Sequence, residues 1–167
     1  CFFIPFLACP ICGRSFLLPC LQHNRDYVSG GIKSVTKQVK SKQRVADHGE
    51  VFTAEREVKA MCDLVKTETE RIDSRFLEPA CGDGNFLAEI LSRKLAVVKK
   101  KYKKFPMDYE KYSVLAVSSL YGVDILQDNC EACRERLYRM WDKEYKAVCK
   151  KEVSEDCRRS VRFILSR

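Results

Sequence analysis

This sequence has no uninterrupted apolar run that could cross a bilayer as one helix. Its most hydrophobic stretch, residues 1–20, is broken by Pro5, Pro10 and Pro19 and carries the charge of Arg14. A spanning helix needs about 20 mostly apolar residues, and proline interrupts helices. No membrane partner is therefore expected. No charged leader precedes that stretch either, so no secretory signal is read. The chain opens on Cys1 and not on methionine, which leads to the expectation of a fragment, a partial reading frame or a processed form. Paired C-x-x-C motifs at zinc spacing are missing as well. Cys130-Glu131-Ala132-Cys133 has no companion pair, and Cys9-Pro10-Ile11-Cys12 is followed only by Cys20 and His23.

What the chain does have is length enough for one domain with a real core, 167 residues, and ten cysteines. Several of these cysteines recur at helical spacing on apolar faces, where a free thiol acts as a small hydrophobe. Reduced thiols and a cytoplasmic location follow as expectations. The formal charge of +8 favours an anionic partner without naming one. Much of the excess lies in Arg93-Lys94 and in Lys99-Lys100-Lys101-Tyr102-Lys103-Lys104. That run closes a predicted helix, where cations suit the dipole, so a solvated helix end is preferred to a nucleic-acid contact.

The chain is organised around Phe76-Leu77-Glu78-Pro79-Ala80-Cys81-Gly82-Asp83-Gly84-Asn85-Phe86-Leu87. Phe76 and Leu77 end a short strand, and Pro79 stops a helix from running through the join. Gly82 and Gly84 permit a sharp turn and put no Cβ between the main chain and a ligand. Phe86, Leu87, Ile90, Leu91, Leu95 and Val98 then fall at a helical period. Strand, glycine turn and helix make the first half of a nucleotide-type βαβ unit. A phosphate loop is excluded, because no Lys-Ser/Thr pair follows the glycines; the third glycine of a dinucleotide fingerprint is absent too. The remaining possibility is a nucleoside without phosphates, with the Glu78 carboxylate just ahead of the turn.

Through Glu78, Pro79, Ala80, Gly82, Gly84, Phe86 and Leu87 this stretch resembles motif I of S-adenosylmethionine-dependent DNA methyltransferases, especially the amino-methylating adenine type. The resemblance implies an α/β fold: part of a Rossmann-like class I methyltransferase fold, strand-helix-strand-helix, with an N-terminal helix and an irregular N-terminal extension. It implies S-adenosyl-L-methionine as cofactor. Gly82 and Gly84 would admit the methionine part of that cofactor against the backbone, with Glu78, Pro79, Ala80 and Phe86 around it. Ahead of it, His48-Gly49-Glu50-Val51-Phe52-Thr53 resembles motif X of the same enzymes, where a Phe-Thr pair helps close over the cofactor. Ala54 stands where that pattern has proline, which softens the turn and leaves Phe52 and Thr53 as candidates. Read from the residues alone, Thr53 caps an amphipathic helix carrying Val58, Met61, Cys62 and Val65, with Glu55 and Glu57 in its first turn.

Val114 to Asp124 reads as the second strand, with Leu120 to Ile125 its most strand-like part, and the long connection before it as a surface excursion. Asp124 would lie at the carboxyl end of that strand, beside the glycine turn if the strands are parallel neighbours. A carboxylate there can cap the next helix or accept the ribose hydroxyls of a nucleoside. The ribose role is preferred, since motif II of the family places its acidic residue in a similar G-x-D segment, and Ile125 would then pack on the adenine. From Asp128 and Asn129 a second helix buries Cys130, Cys133, Leu137, Met140 and Trp141, which makes the C-x-x-C part of a core. The tail reads as a short helix leading into a third strand through Val161, Phe163, Ile164 and Leu165.

Residues 1–40 are read as an irregular extension or linker, foreign or a zinc knuckle on Cys9, Cys12, Cys20 and His23; residues 41–167 as the cofactor-binding front part of a methyltransferase domain. No catalytic residue and no metal ligand is named. The family holds its target amine with a D/N-P-P-Y/F motif, and no Pro-Pro dipeptide occurs in this chain. The expectation is therefore the cofactor-binding portion of a DNA adenine-N6 methyltransferase of a restriction-modification system, inactive by itself, that meets DNA through a part not present. Two other readings stay open: a methyltransferase on RNA, protein or a small molecule, and a zinc-containing module that binds nucleic acid.

Overall fold

Leu77 and Tyr121 stand side by side in a two-stranded parallel sheet, the only sheet among the described residues. The computed structural model describes residues 38–150 and 153–167. Strand β1 is Phe76–Glu78 and β2 is Leu120–Gly122, in the register Phe76↔Leu120, Leu77↔Tyr121 and Glu78↔Gly122. Single bonds extend the pairing at both ends, from Phe76 N–H to Ser119 O and from Val123 N–H to Glu78 O, both 2.9 Å. The strands are parallel neighbours, the condition on which the place of Asp124 beside the glycine turn depends. The rest is helical: α1 Lys42–His48, α2 Glu55–Leu64, α3 Lys66–Thr69, α4 Asn85–Tyr102, α5 Pro106–Ser118, α6 Gln127–Cys149 and α7 Glu155–Leu165. The architecture is thus α/β in kind but mostly helical.

Helix α4 keeps the expected stripe, with Leu87, Ile90, Leu91, Leu95 and Val98 buried and its lysine-rich last turn exposed. Helix α6 does likewise through Cys133, Leu137, Trp141 and Tyr145, while Cys130 and Met140 are half-buried. Together with α5 and α7 these helices enclose the main core. Trp141 lies at its centre, stacked on Tyr145 at 4.7 Å and donating through Nε1 to Ser113 Oγ at 3.1 Å. A smaller cluster, Val58, Cys62, Phe76 and Ile90, joins α2 to β1 and α4. Cys81 and Cys133 are not joined in a disulfide.

Three expectations are corrected. Val114 to Ser118 is helix and not strand, and the connection is not a surface excursion. Pro106 opens α5 at a position where its missing N–H costs nothing, and Tyr109, Ser113, Ala116 and Val117 recur on one buried face. The β-branched and apolar residues that suggested a strand serve that face instead, since strand propensity yields to packing. Second, the tail forms α7 through Leu165, begun by Ser154, whose Oγ accepts from Cys157 N–H at 3.3 Å. No third strand occurs among the described residues. Third, Ala54 and not Thr53 occupies the cap of α2, without a side-chain capping bond. Helix α1 was not anticipated. Ser41 caps it, accepting from Arg44 N–H at 3.1 Å, and Gly49 ends it in a left-handed conformation. No described helix is long and apolar enough to cross a membrane.

Candidate functional site

The turn between β1 and α4 bends at two glycines with positive φ, 53° at Gly82 and 87° at Gly84, a region costly for any other residue. Gly84 N–H donates to Cys81 O at 2.9 Å, and Gly84 O accepts the first bond of α4, from Ala88 N–H at 2.8 Å. Close approach adds a second constraint. A Cβ on Gly82 would stand 2.9 Å from Phe52 Cε1, and one on Gly84 only 2.6 Å from Cys133 Sγ. The chain's own Phe52 ring and Cys133 thiol thus lie against the turn. The Cys81 thiol donates to Gly82 O at 3.6 Å, and the neighbouring Cys133 thiol together with burial pushes its pKa up.

Asp124 ties the turn to the end of β2. Its Oδ2 accepts from Gly82 N–H at 2.9 Å, and its Oδ1 accepts from Leu126 N–H at 2.8 Å and Asn129 Nδ2 at 3.3 Å. The carboxylate therefore caps the approach to α6 and holds the glycine turn at once. Two oxygens offer about four acceptor sites, so these three bonds leave it capacity for one more donor. Glu78, the last residue of β1, is half-buried, and burial raises its pKa. Pro79 and Ala80 are exposed, and Ile125 is 80% exposed. Phe86 packs at the edge of the small α2–α4 cluster.

Phe52 and Thr53 face a cavity of about 800 Å³ that lies beside the turn and runs between α2, α4 and α6. Asp83, Asn85 and Arg136 also line it. Asn85 Nδ2 donates to Thr53 O at 3.1 Å, and Arg136 Nη1 donates to Asn85 Oδ1 at 2.6 Å. Of the ten candidate residues, the structure joins Phe52 to Gly82, Gly82 to Asp124, and Thr53 to the start of α4 through Asn85. It leaves Pro79, Ala80 and Ile125 on the open side of the strand ends. Asp83, Asn85 and Arg136 went unremarked in the sequence. A polar residue between two glycines was a signal for Asp83, but nothing local pointed to Arg136, 51 residues from its partner Asn85.

A further network clamps residues 40–50 to the start of α6. Arg44 holds Glu50 through two bonds, 2.6 and 2.7 Å, and reaches Asp128 at 2.8 Å. Buried Asn129 donates to Glu50 Oε1 at 2.7 Å and accepts from Lys40 Nζ at 2.5 Å. The Arg44 guanidinium holds the Glu50 carboxyl below its ordinary range, and Arg44 and Lys40 bring Asp128 down to about 2.

Fold and site together define an α/β-type unit with a glycine turn and a carboxylate at the carboxyl ends of two parallel strands, where ligands bind in open α/β sheets, and a polar cavity beside that turn between α2, α4 and α6. No protein-family model, no curated protein and no solved structure matches this chain. Among the described residues no group of His, Cys, Asp or Glu could hold a metal ion; Cys9, Cys12, Cys20 and His23 lie outside them.

Proposed function

We propose that this chain binds S-adenosylmethionine as the front part of a Rossmann-like, amino-directed methyltransferase, with DNA adenine N6 as acceptor. The observation that carries the reading is the bond from Gly82 N–H to the Asp124 carboxylate, at the carboxyl ends of parallel β1 and β2. It brings the motif I-like turn and the motif II-like acid into one place from 42 residues apart. Phe52 on Gly82 does the same for the motif X-like segment, which is what favours DNA over the other acceptors.

The residues fit such a group. The cavity of about 800 Å³ is in the range of small-molecule sites, and a buried oxygen of Asp83 in its wall lacks a hydrogen-bond partner. Asp124 would accept from one ribose hydroxyl, Phe52 and Thr53 would close one side, and exposed Ile125 is available to an adenine face. The bound cofactor would supply an electrophilic methyl on its sulfonium. This chain would hold and orient it; a D/N-P-P-Y/F segment to hold the acceptor amine is not in the sequence, so turnover is not proposed for these 167 residues.

Calorimetric titration of the chain with S-adenosylmethionine tests the reading, with Asp124→Ala alongside and circular dichroism to verify folding. Saturable one-to-one binding, weakened about tenfold or more by the substitution, is the expected result, because hydrogen bonds to a charged group contribute about 1.5–3 kcal/mol. A folded chain that takes up no cofactor would overturn the proposal.

A further inference from the structure

Most charges around the cavity cancel within its walls. Lys59 pairs with Glu55 at 2.5 Å, and Arg93 pairs with Glu89 at 2.8 Å. Asp83 and Arg136 pair with each other only loosely. Asp83 Oδ1 is buried and has no hydrogen-bond partner; the Arg136 Nη1 nearest to it is 3.6 Å away, close enough for attraction and too far for a bond. Arg136 spends only Nη1, on Asn85 Oδ1 at 2.6 Å and weakly on Asp83 O at 3.4 Å. A guanidinium carries five N–H donors, so most of this one remains to be used. A carboxylate with one buried, unbonded oxygen and a half-exposed guanidinium with spare donors thus sit side by side on one cavity wall, both partly open to a ligand.

The ligand that would complete both carries opposite charges a few ångströms apart. A simple anion would meet Asp83, and a simple cation would meet Arg136. A zwitterion meets neither objection, provided its ammonium turns to Asp83 and its carboxylate to Arg136. The geometry points to this cavity as the seat of an α-amino-acid group, with Arg136 donating to the carboxylate and Asp83 accepting from the ammonium. The inference rests on the proposed cofactor for its ligand, since S-adenosylmethionine ends in such a group. It moves that end off Gly82 and Gly84, which Phe52 and Cys133 already cover, to the Asp83–Arg136 side of the turn.

The test compares two probes on the full chain, S-adenosylmethionine and 5′-methylthioadenosine, which keeps the nucleoside and thioether but lacks the amino-acid group. Arg136→Gln is expected to weaken S-adenosylmethionine about tenfold or more while methylthioadenosine stays within about twofold. Arg136→Lys, which keeps the charge and loses the fork, is expected to fall between. Unchanged S-adenosylmethionine binding in Arg136→Gln would overturn the inference and leave the cofactor reading standing. An equal loss for both probes would overturn it too, by making Arg136 a prop for the turn. Failure of the unsubstituted chain to bind either probe would remove the cofactor reading and this inference together.

Discussion

Among the described residues Lys94 is the lysine with no exposed surface, and its ammonium sits under the opposite end of the sheet from the candidate site. Nζ donates to Ser119 Oγ at 2.5 Å, to Ser74 O, and to Ile72 O at 3.3 Å, and lies 5.1 Å from the centre of the Phe76 ring. Three acceptors match three ammonium protons, so the lysine ties the loop before β1 to the end of α5. Burial nonetheless pushes its pKa down from 10.5 to about 7. Between those values the folded chain holds fewer protons at this site than the unfolded chain, so stability rises with pH across the window. Below about 7 the cost of the buried charge is fully present, and above 10.5 it is gone. At 1.36 kcal/mol per pH unit the whole window is worth at most about 5 kcal/mol. Urea denaturation of the chain and of Lys94→Met from pH 6 to 10 measures this. The unsubstituted chain should gain on the variant as pH rises, and a difference flat in pH would refute the account.

At the scale of elements, one hydroxyl links three helices. Tyr145 on α6 donates to Glu110 on α5 and accepts from Ser154 N–H, at the cap of α7, at 2.7 Å. Helix α7 buries Val161 completely and packs Cys157, Ile164 and Leu165 on the core, and its start is held by this junction and by Arg158, which reaches Asp142 at 2.9 Å. Tyr145→Phe keeps the stack on Trp141 and removes the hydroxyl. It should cost about 1–2 kcal/mol, because it strands the donor and the acceptor that the hydroxyl joined. Hydrogen exchange should quicken across α7 and stay unchanged in the middle of α4. Equal acceleration in both helices would mean that the junction serves the whole core rather than α7.

At the scale of the molecule, the segment from Gln38 to Thr53 lies across the start of α6 and brings Phe52 to the glycine turn. Its hold is polar: Arg44, Glu50, Asp128 and Asn129, with Phe52 N–H on Gln38 O at 2.8 Å. The Glu50 carboxyl is held below 4.5 chiefly by its bond to Arg44, so this contact is fully made above that pH and is lost as pH falls through the lowered value. Glu50→Gln should therefore release the segment at neutral pH, seen as severalfold faster hydrogen exchange in residues 38–53 with α4 protection kept. Acidification should then change exchange in that segment less in the variant than in the parent. If the segment exchanges equally in both at neutral pH, the clamp is not what holds it.

Much of this organisation was legible in the residues themselves. Pro79, two glycines and a helical stripe from Phe86 to Val98 specify a strand, a turn and a helix locally, because glycine conformation, proline geometry and helical periodicity act over a few residues. The stripe from Cys133 to Trp141 placed α6 for the same reason. Val114 to Ser118 was misread because apolar β-branched residues suit either a strand or a buried helix face, and only the neighbours α4 and α7 decide which. Asp124 stands out in the sequence by its place near a strand end. Its grip on Gly82, the Arg136–Asn85 bond and the burial of Lys94 do not, since each joins residues 20 or more positions apart. Sequence by itself determined where the chain turns and which faces are apolar. The tertiary structure alone decided which polar groups meet, because that depends on how the helices cross, and local chemistry carries no record of it.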